Sequence, residues 1–150
     1  MPSKAFFDTN ILLYLLCADA AKAERAEELI VEGGVISIQV LNEFASVASR
    51  KLRMSIPEIR QCLEPIAQMC RVEPLTLETH ARGLAVAARY GFSVYDSMIV
   101  AAALLSGCGT LYSEDLHHRQ RVDGLLIVNP FPVRKLGSDP IFLCRAARSQ

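Results

Sequence analysis

The sequence predicts an α/β domain built on a mainly parallel sheet with helices on both faces. Three observations carry this reading. Short apolar runs alternate with longer amphipathic runs along the whole chain, the pattern left by repeated strand–helix units. The first apolar run, Phe6-Phe7, stops abruptly at Asp8, passes through Thr9-Asn10 and enters a second apolar stretch. A buried strand followed by a turn and a helix reads in this way. The length, 150 residues, suits one domain with a sizeable core.

The elements follow in order. Residues 4–7 form the first strand. Residues 10–16 are apolar on all sides, so the helix there is buried or packs on a partner. Residues 22–31 form a helix with Ala23, Ala26, Leu29 and Ile30 on one face and charges opposite. Gly33-Gly34 ends it. Val35-Ile36 is a second strand, and Ser37 caps a helix over residues 38–53 that carries Glu43. Ser55 and Glu58 have capping-box spacing and open a helix to Met69. Residues 71–74 form the third strand. Thr76 starts a helix that reaches Tyr90 and is closed by Gly91. Residues 95–105 form a buried helix with Asp96 in its first turn. Residues 110–112 are the fourth strand, ending in Ser113-Glu114-Asp115. Residues 125–128 are the fifth, ended by Asn129-Pro130. The expected division is a domain over residues 1–132 and a tail over residues 133–150, disordered or docked on another subunit.

Composition narrows the function classes. The chain carries 16 basic and 16 acidic side chains, for a formal charge of zero. A general cationic surface is therefore absent, and any nucleic-acid site must be a local groove. The five cysteines form no C-x-x-C pair. Metal clips and a disulfide framework are not expected, and the thiols read as small buried hydrophobes in a reducing cytoplasm. No apolar run approaches the roughly 18 residues that would span a membrane. No Gly-rich phosphate loop occurs, which argues against a nucleoside triphosphatase.

Four carboxylates have positions that suit chemistry. Asp8 and Asp115 follow strands, and ligands of open parallel sheets bind at carboxyl strand ends. An N-cap for Asp8 and a surface turn for Asp115 are the structural alternatives. Glu43 sits on an apolar ridge between Val40 and Val47, where a charge is costly unless it pairs or binds a cation. Its alternative is a salt bridge to Arg50 or Lys51. Asp96 heads a stripe of Ile99, Val100 and Ala103, or simply complements its helix dipole. Acids gathered at one sheet edge would repel by about 4 kcal/mol per close pair at an effective dielectric near 20. Oxygen-rich, cysteine-free sites suit Mg²⁺ or Mn²⁺, and such ions point to phosphate-ester chemistry.

The segments FFDTNILLY, ISIQVLNEF, SVYDSMIVAAAL and TLYSEDL resemble, in order and spacing, the four acidic motifs of PIN-domain ribonucleases. The similarity spans residues 5–131, and the most similar branch is the VapC-type toxins of toxin–antitoxin pairs. The resemblance implies a three-layer α/β/α fold with a five-stranded, mainly parallel sheet. It implies Mg²⁺- or Mn²⁺-dependent endonucleolytic cleavage of RNA, leaving a 5′-phosphate and a 3′-hydroxyl. The metal-site acids carried over are Asp8, Glu43, Asp96 and Asp115. Asn10 and Ser113 are carried over as supporting or substrate contacts. Glu114 falls at a variable position and is expected to face solvent. Candidate RNA phosphate contacts are Arg50, Lys51, Arg53, Arg119 and Arg121, with a solvated surface as the alternative for each. An antitoxin whose segment covers the acidic groove and a homodimer are the implied partners, and the run over residues 11–16 is a candidate surface for either.

This sequence departs from the pattern in its basic stretch from Leu116 to Arg121 and in the unmatched tail. His117 and His118 are adjacent and read as a solvated loop. Two other readings compete. One is a Mg²⁺-dependent phosphatase using Asp8, for which Asn10 stands where a second aspartate is wanted. The other is a PIN relative that only binds a partner.

Overall fold

The computed structural model describes residues 4–131, so the tail over residues 133–150 lies outside the described residues. The elements are β1 (Ala5–Phe7), α1 (Thr9–Leu13), a 3₁₀ turn (Tyr14–Leu16), α2 (Ala20–Val31), β2 (Gly34–Ser37), α3 (Ile38–Arg50) and α4 (Ile56–Met69). They continue with β3 (Cys70–Glu73), α5 (Leu77–Tyr90), α6 (Val94–Leu105), β4 (Thr110–Tyr112), β5 (Arg121–Val122) and β6 (Leu125–Val128). Helix ends fall where the capping chemistry puts them. Ser37 accepts from Val40 N, Ser55 and Glu58 close a capping box, Thr76 caps α5, and Gly91 ends it at a φ of 76°.

The strands form one sheet in the order β3-β2-β1-β4-β6-β5, parallel except for β5 against β6. Phe6 and Phe7 point to opposite faces, and both are buried, as are Val35 and Ile36 in β2. A strand buried on both faces must be covered by helices on both. Ile11, Leu12, Phe44 and Ile99 supply part of that cover. The α/β class is as predicted. Among the described residues no helix is long and apolar enough to cross a membrane.

Two expectations are corrected. The sheet has six strands instead of five. The additional one is the two-residue β5, paired antiparallel to β6 across Asp123-Gly124, both with positive φ. That is the two-residue hairpin turn that Asp-Gly favours. Arg82, Arg89 and Tyr90 of α5 donate to the Asp123 carboxylate and pin the turn. Helix α3 also ends at Arg50 and does not reach Arg53. The chain reverses there, with Arg53 at a φ of 53°, so that Met54 returns to the core and its N–H reaches Ala48 O at 3.0 Å.

The order of connections positions the site. From β1 the chain moves to β2 and β3 on one side, then returns to place β4 on the other side of β1. The carboxyl ends of β1 and β4 therefore flank the point where the winding direction changes, the crevice in which open sheets bind ligands.

Close strand pairing at Gly34 makes a prediction. A Cβ there would lie 2.6 Å from the Phe7 ring and 2.7 Å from Ala5 O. Gly34→Ala is expected to lower stability by about 1–3 kcal/mol, the cost of overpacking. Urea unfolding measures it, and an unchanged midpoint would contradict the close approach.

Candidate functional site

Asp8 follows β1, and the residue is only 4% exposed. Parallel pairing sets Phe7 beside Tyr112, so Asp8 and Ser113 leave the sheet side by side. Asp8 N–H donates to Tyr112 O at 3.0 Å, and Ser113 Oγ donates to Asp8 Oδ2 at 2.7 Å. The other oxygen, Oδ1, accepts from Thr9 N at 2.7 Å, so Asp8 does cap α1 as well. Ser113 Oγ also accepts from Leu116 N at 3.4 Å, which ties the turn carrying Asp115 back toward the sheet.

The remaining acids arrive from other elements. Glu43, in the second turn of α3, accepts from Thr9 Oγ1 at 2.6 Å and from Gln39 Nε2 at 2.9 Å. It takes these polar neighbours in place of the ion pair with Arg50 that the sequence allowed. Asp96 is half-buried in the first turn of α6, where Ser93 caps the helix through the Asp96 N–H. Asp115 is exposed. These four acids, with Thr9, Asn10, Gln39, Asn42, Ser46, Tyr95, Arg50 and Lys51, line one groove of about 660 Å³. Arg53, Arg119 and Arg121 are not among its lining residues.

The carboxylates sense one another. Burial pushes the Asp8 carboxyl up to about 7, and the Asp96 and Asp115 charges add to that, against the hydrogen bonds from Ser113 and Thr9. Asp96 is raised for the same reasons, burial first and then Glu43 and Asp115, while Ser93 opposes. Yet among the described residues no three acidic, histidine or cysteine side chains converge tightly enough to form a ready-made metal cage. Both observations hold together if the site is open. Hard carboxylate oxygens around an open groove fit a small divalent cation that keeps most of its waters.

Two neighbours were missed from the sequence. Lys22 is buried, 3.3 Å from Glu114 Oε1, and lies over the rings of Tyr14 at 4.8 Å and Phe131 at 5.5 Å. Glu114 therefore does not face solvent as expected, its side chain being 10% exposed. Its N–H donates to Asn10 Oδ1 at 3.4 Å. Helical periodicity placed Lys22 at the charged edge of α2, and nothing in the sequence indicated an aromatic niche for it. Asn10 Nδ2 is buried with no acceptor among the described residues. The run over residues 11–16 divides: Ile11, Leu12 and Leu13 enter the core, while Leu15 and Leu16 line a separate apolar cleft with Ile30, Val31, Ile66 and Met69.

Two predictions arise. Folded Asp8 keeps its proton up to about pH 7, whereas the unfolded chain ionises near 3.8. The native state binds the extra proton between those values, so the metal-free protein loses stability as pH rises through that window. The loss reaches up to about 4 kcal/mol. Urea melts in EDTA should show this decline, and Asp8→Asn should flatten it; a wild type equally stable at both ends would refute the assignment. Separately, Lys22→Met should cost about 3 kcal/mol by leaving a carboxylate without its buried cation. Lys22→Met/Glu114→Leu should recover most of that loss in the same melts, and a double variant no better than the single would contradict it.

Comparison with known proteins follows the geometry. No curated protein matches the sequence. Twelve solved chains match, and three of them show the shared fold. Mycobacterium tuberculosis VapC20, described as a sarcin-ricin loop cleaving toxin, is 20% identical, with a TM-score of 0.60 over 73% of this chain and 88% of its own. A toxin–antitoxin complex from Klebsiella pneumoniae is 20% identical, with a TM-score of 0.64 over 86% of this chain and 99% of its own. VapBC2 from Rickettsia felis, bound to a DNA fragment of its promoter, is 16% identical, with a TM-score of 0.60 over 82% and 96%. The PIN domain family model matches residues 5–124, a span that contains all four acids and both strands of the switch point. The chain belongs to the PIN domain family.

Proposed function

We propose that this chain is a metal-dependent endoribonuclease and the toxin of a toxin–antitoxin pair. The observation that carries the reading is the meeting of four carboxylates from four separate elements in one groove at the sheet's switch point. Membership of the PIN family supports nuclease chemistry. The fold neighbours, one a sarcin-ricin loop cleaving toxin and one a toxin–antitoxin complex, support the biological setting.

In this reading Asp8, Glu43, Asp96 and Asp115 hold Mg²⁺ or Mn²⁺, which when bound supplies Lewis acidity toward a phosphodiester. The protein's own groups do the rest. Ser113 and Thr9 fix the orientation of Asp8, and Thr9 fixes Glu43 through its hydroxyl, so one residue sets two of the acids. Asn10 Nδ2 is left as a donor for an ordered water or a phosphate oxygen. Arg50 and Lys51 take neighbouring phosphates from the groove wall. Hydrolysis adds water across the P–O3′ bond, giving a 5′-phosphate and a 3′-hydroxyl.

Two apolar surfaces support the reading of its partners. An antitoxin segment with apolar side chains fits the cleft of about 360 Å³ lined by Leu15, Leu16, Ile30 and Met69. Leu77 and Leu84, exposed and two turns apart on α5, are the proposed homodimer contact.

The test is cleavage of a labelled single-stranded RNA with Mg²⁺, Mn²⁺ or EDTA. Asp8→Asn is expected to lower the rate by at least about 100-fold, a scale that even supporting groups of metal sites reach. EDTA should abolish the reaction, and either divalent ion should restore it. Cleavage that persists undiminished in Asp8→Asn would sink the assignment.

A further inference from the structure

The chain has few aromatic side chains, and most of the large rings lie inside. Phe6, Phe7, Tyr14 and Phe44 are at most 1% exposed, and Phe7 and Tyr112 stack beside the site. Among the described aromatic residues Tyr95 is the one that is exposed. It is 66% exposed, and it lines the acidic groove next to Asp96. No hydrogen bond or ring contact engages it among the described residues. It therefore contributes little to the fold. Its helix is nevertheless held firmly, because the residues from Ser97 to Ala103 are buried on all sides and Ser93 caps the first turn. A ring carried on a rigid helix has only its own two side-chain torsions to fix when a base stacks on it, so the entropy cost of stacking is small.

The facing wall is polar. Helix α3 lines the groove with Gln39, Asn42, Glu43, Ser46 and Arg50. Arg50 Nε donates to Ser46 O at 3.4 Å and to Ser46 Oγ at 3.1 Å, which orients the guanidinium. No carboxylate pairs with Arg50 among the described residues, whereas Arg25, Arg71, Arg82 and Arg89 each have one. Seven residues separate Glu43 from Arg50, two helical turns or about 10 Å along the same face. The groove thus offers acids at one end, a flat apolar ring beside them and an unpaired cation further along.

We propose, building on the ribonuclease reading, that Tyr95 is the platform on which the base next to the scissile phosphate stacks, with Arg50 holding a neighbouring phosphate. A ring that must accept a free base face selects unpaired nucleotides, because bases within a duplex already stack on each other. Tyr95 therefore helps to determine which part of an RNA enters the groove, in addition to the acids that act on it.

The sequence contains no tryptophan, so Tyr95→Trp creates a single fluorophore at the site. In an Asp8→Asn background, where RNA stays intact, a fluorescein-labelled mixed-sequence single-stranded RNA is titrated. Anisotropy follows binding, and tryptophan emission follows stacking. The expected result is saturable quenching that tracks anisotropy, with the matching duplex binding weakly and without quenching. Tyr95→Ala should weaken binding by roughly 10- to 100-fold, the effect of removing a stacking ring, and Tyr95→Phe should restore it. If the RNA binds while emission stays unchanged and Tyr95→Ala binds equally well, the platform is overturned. Wild-type cleavage of the same RNA would then leave the ribonuclease reading standing. If no RNA binds and none is cleaved, both are overturned. A smaller assembly for Tyr95→Ala by light scattering, with RNA affinity unchanged, would instead assign the ring to a contact between copies and overturn the platform.

Discussion

The burial of one carboxylate governs the organisation of this molecule. Asp8 sits where β1 emerges between its two neighbours, and the chain gives it 4% exposure. Little water reaches its charge there, so the surrounding atoms must do most of the solvation. Thr9 N–H and Ser113 Oγ do so, each at 2.7 Å. Neither partner is accidental. The Thr9 amide points at Asp8 because α1 begins immediately, and Ser113 lies alongside because β4 returns next to β1 with Phe7 opposite Tyr112. The strand order is thus what brings a residue 105 positions away within reach of the acid.

That partial solvation still falls short of what a buried anion needs. The hydrogen bonds lower the pKa of Asp8, but burial and the charges of Asp96 and Asp115 outweigh them and hold it at about 7. A site assembled only for stability would not place further acids there. Proteins keep unfavourable electrostatics where function uses them, and the cost is carried by the rest of the fold. The Lys22–Glu114 pair belongs to that support. Glu114 lies between Ser113 and Asp115 in sequence, and its backbone N–H engages Asn10. Anchoring Glu114 against Lys22, over the rings of Tyr14 and Phe131, therefore holds both flanking residues in the groove region.

Much of this was legible before any coordinates. Capping signals at Ser37, Ser55 and Thr76 and the stop at Gly91 placed helix ends closely, because they are local chemistry. The strand-end positions of Asp8 and Asp115 and the helical position of Glu43 were visible for the same reason. What escaped depends on distant contacts. The hydrogen bonds of Glu43 come from Thr9 and Gln39, and only the docking of α1 on α3 creates the first of these. The burial of Lys22 depends on Tyr14 and Phe131 converging from opposite ends of the described chain. The β5 hairpin is different: Asp123-Gly124 announced it locally, and the signal lay in a stretch too short to read as a strand.

A formal charge of zero conceals a local separation that matters more than the sum. Along the groove, acids occupy one end, and Arg50 and Lys51 occupy the wall beyond them. A phosphate brought among the acids would meet repulsion on the order of 4 kcal/mol for each close pair at an effective dielectric near 20. The same repulsion acts among the acids themselves and contributes to the proton that Asp8 retains. Cation loading relieves both at once. On the ribonuclease reading, affinity for the strand and affinity for the ion are therefore linked, and each must raise the other by the same factor. On the same reading Arg50, two turns from Glu43, attracts phosphate even before the acids are neutralised. A strand can thus be held by its flank before the acid end is ready to receive the scissile phosphate, which separates capture from chemistry within a single groove.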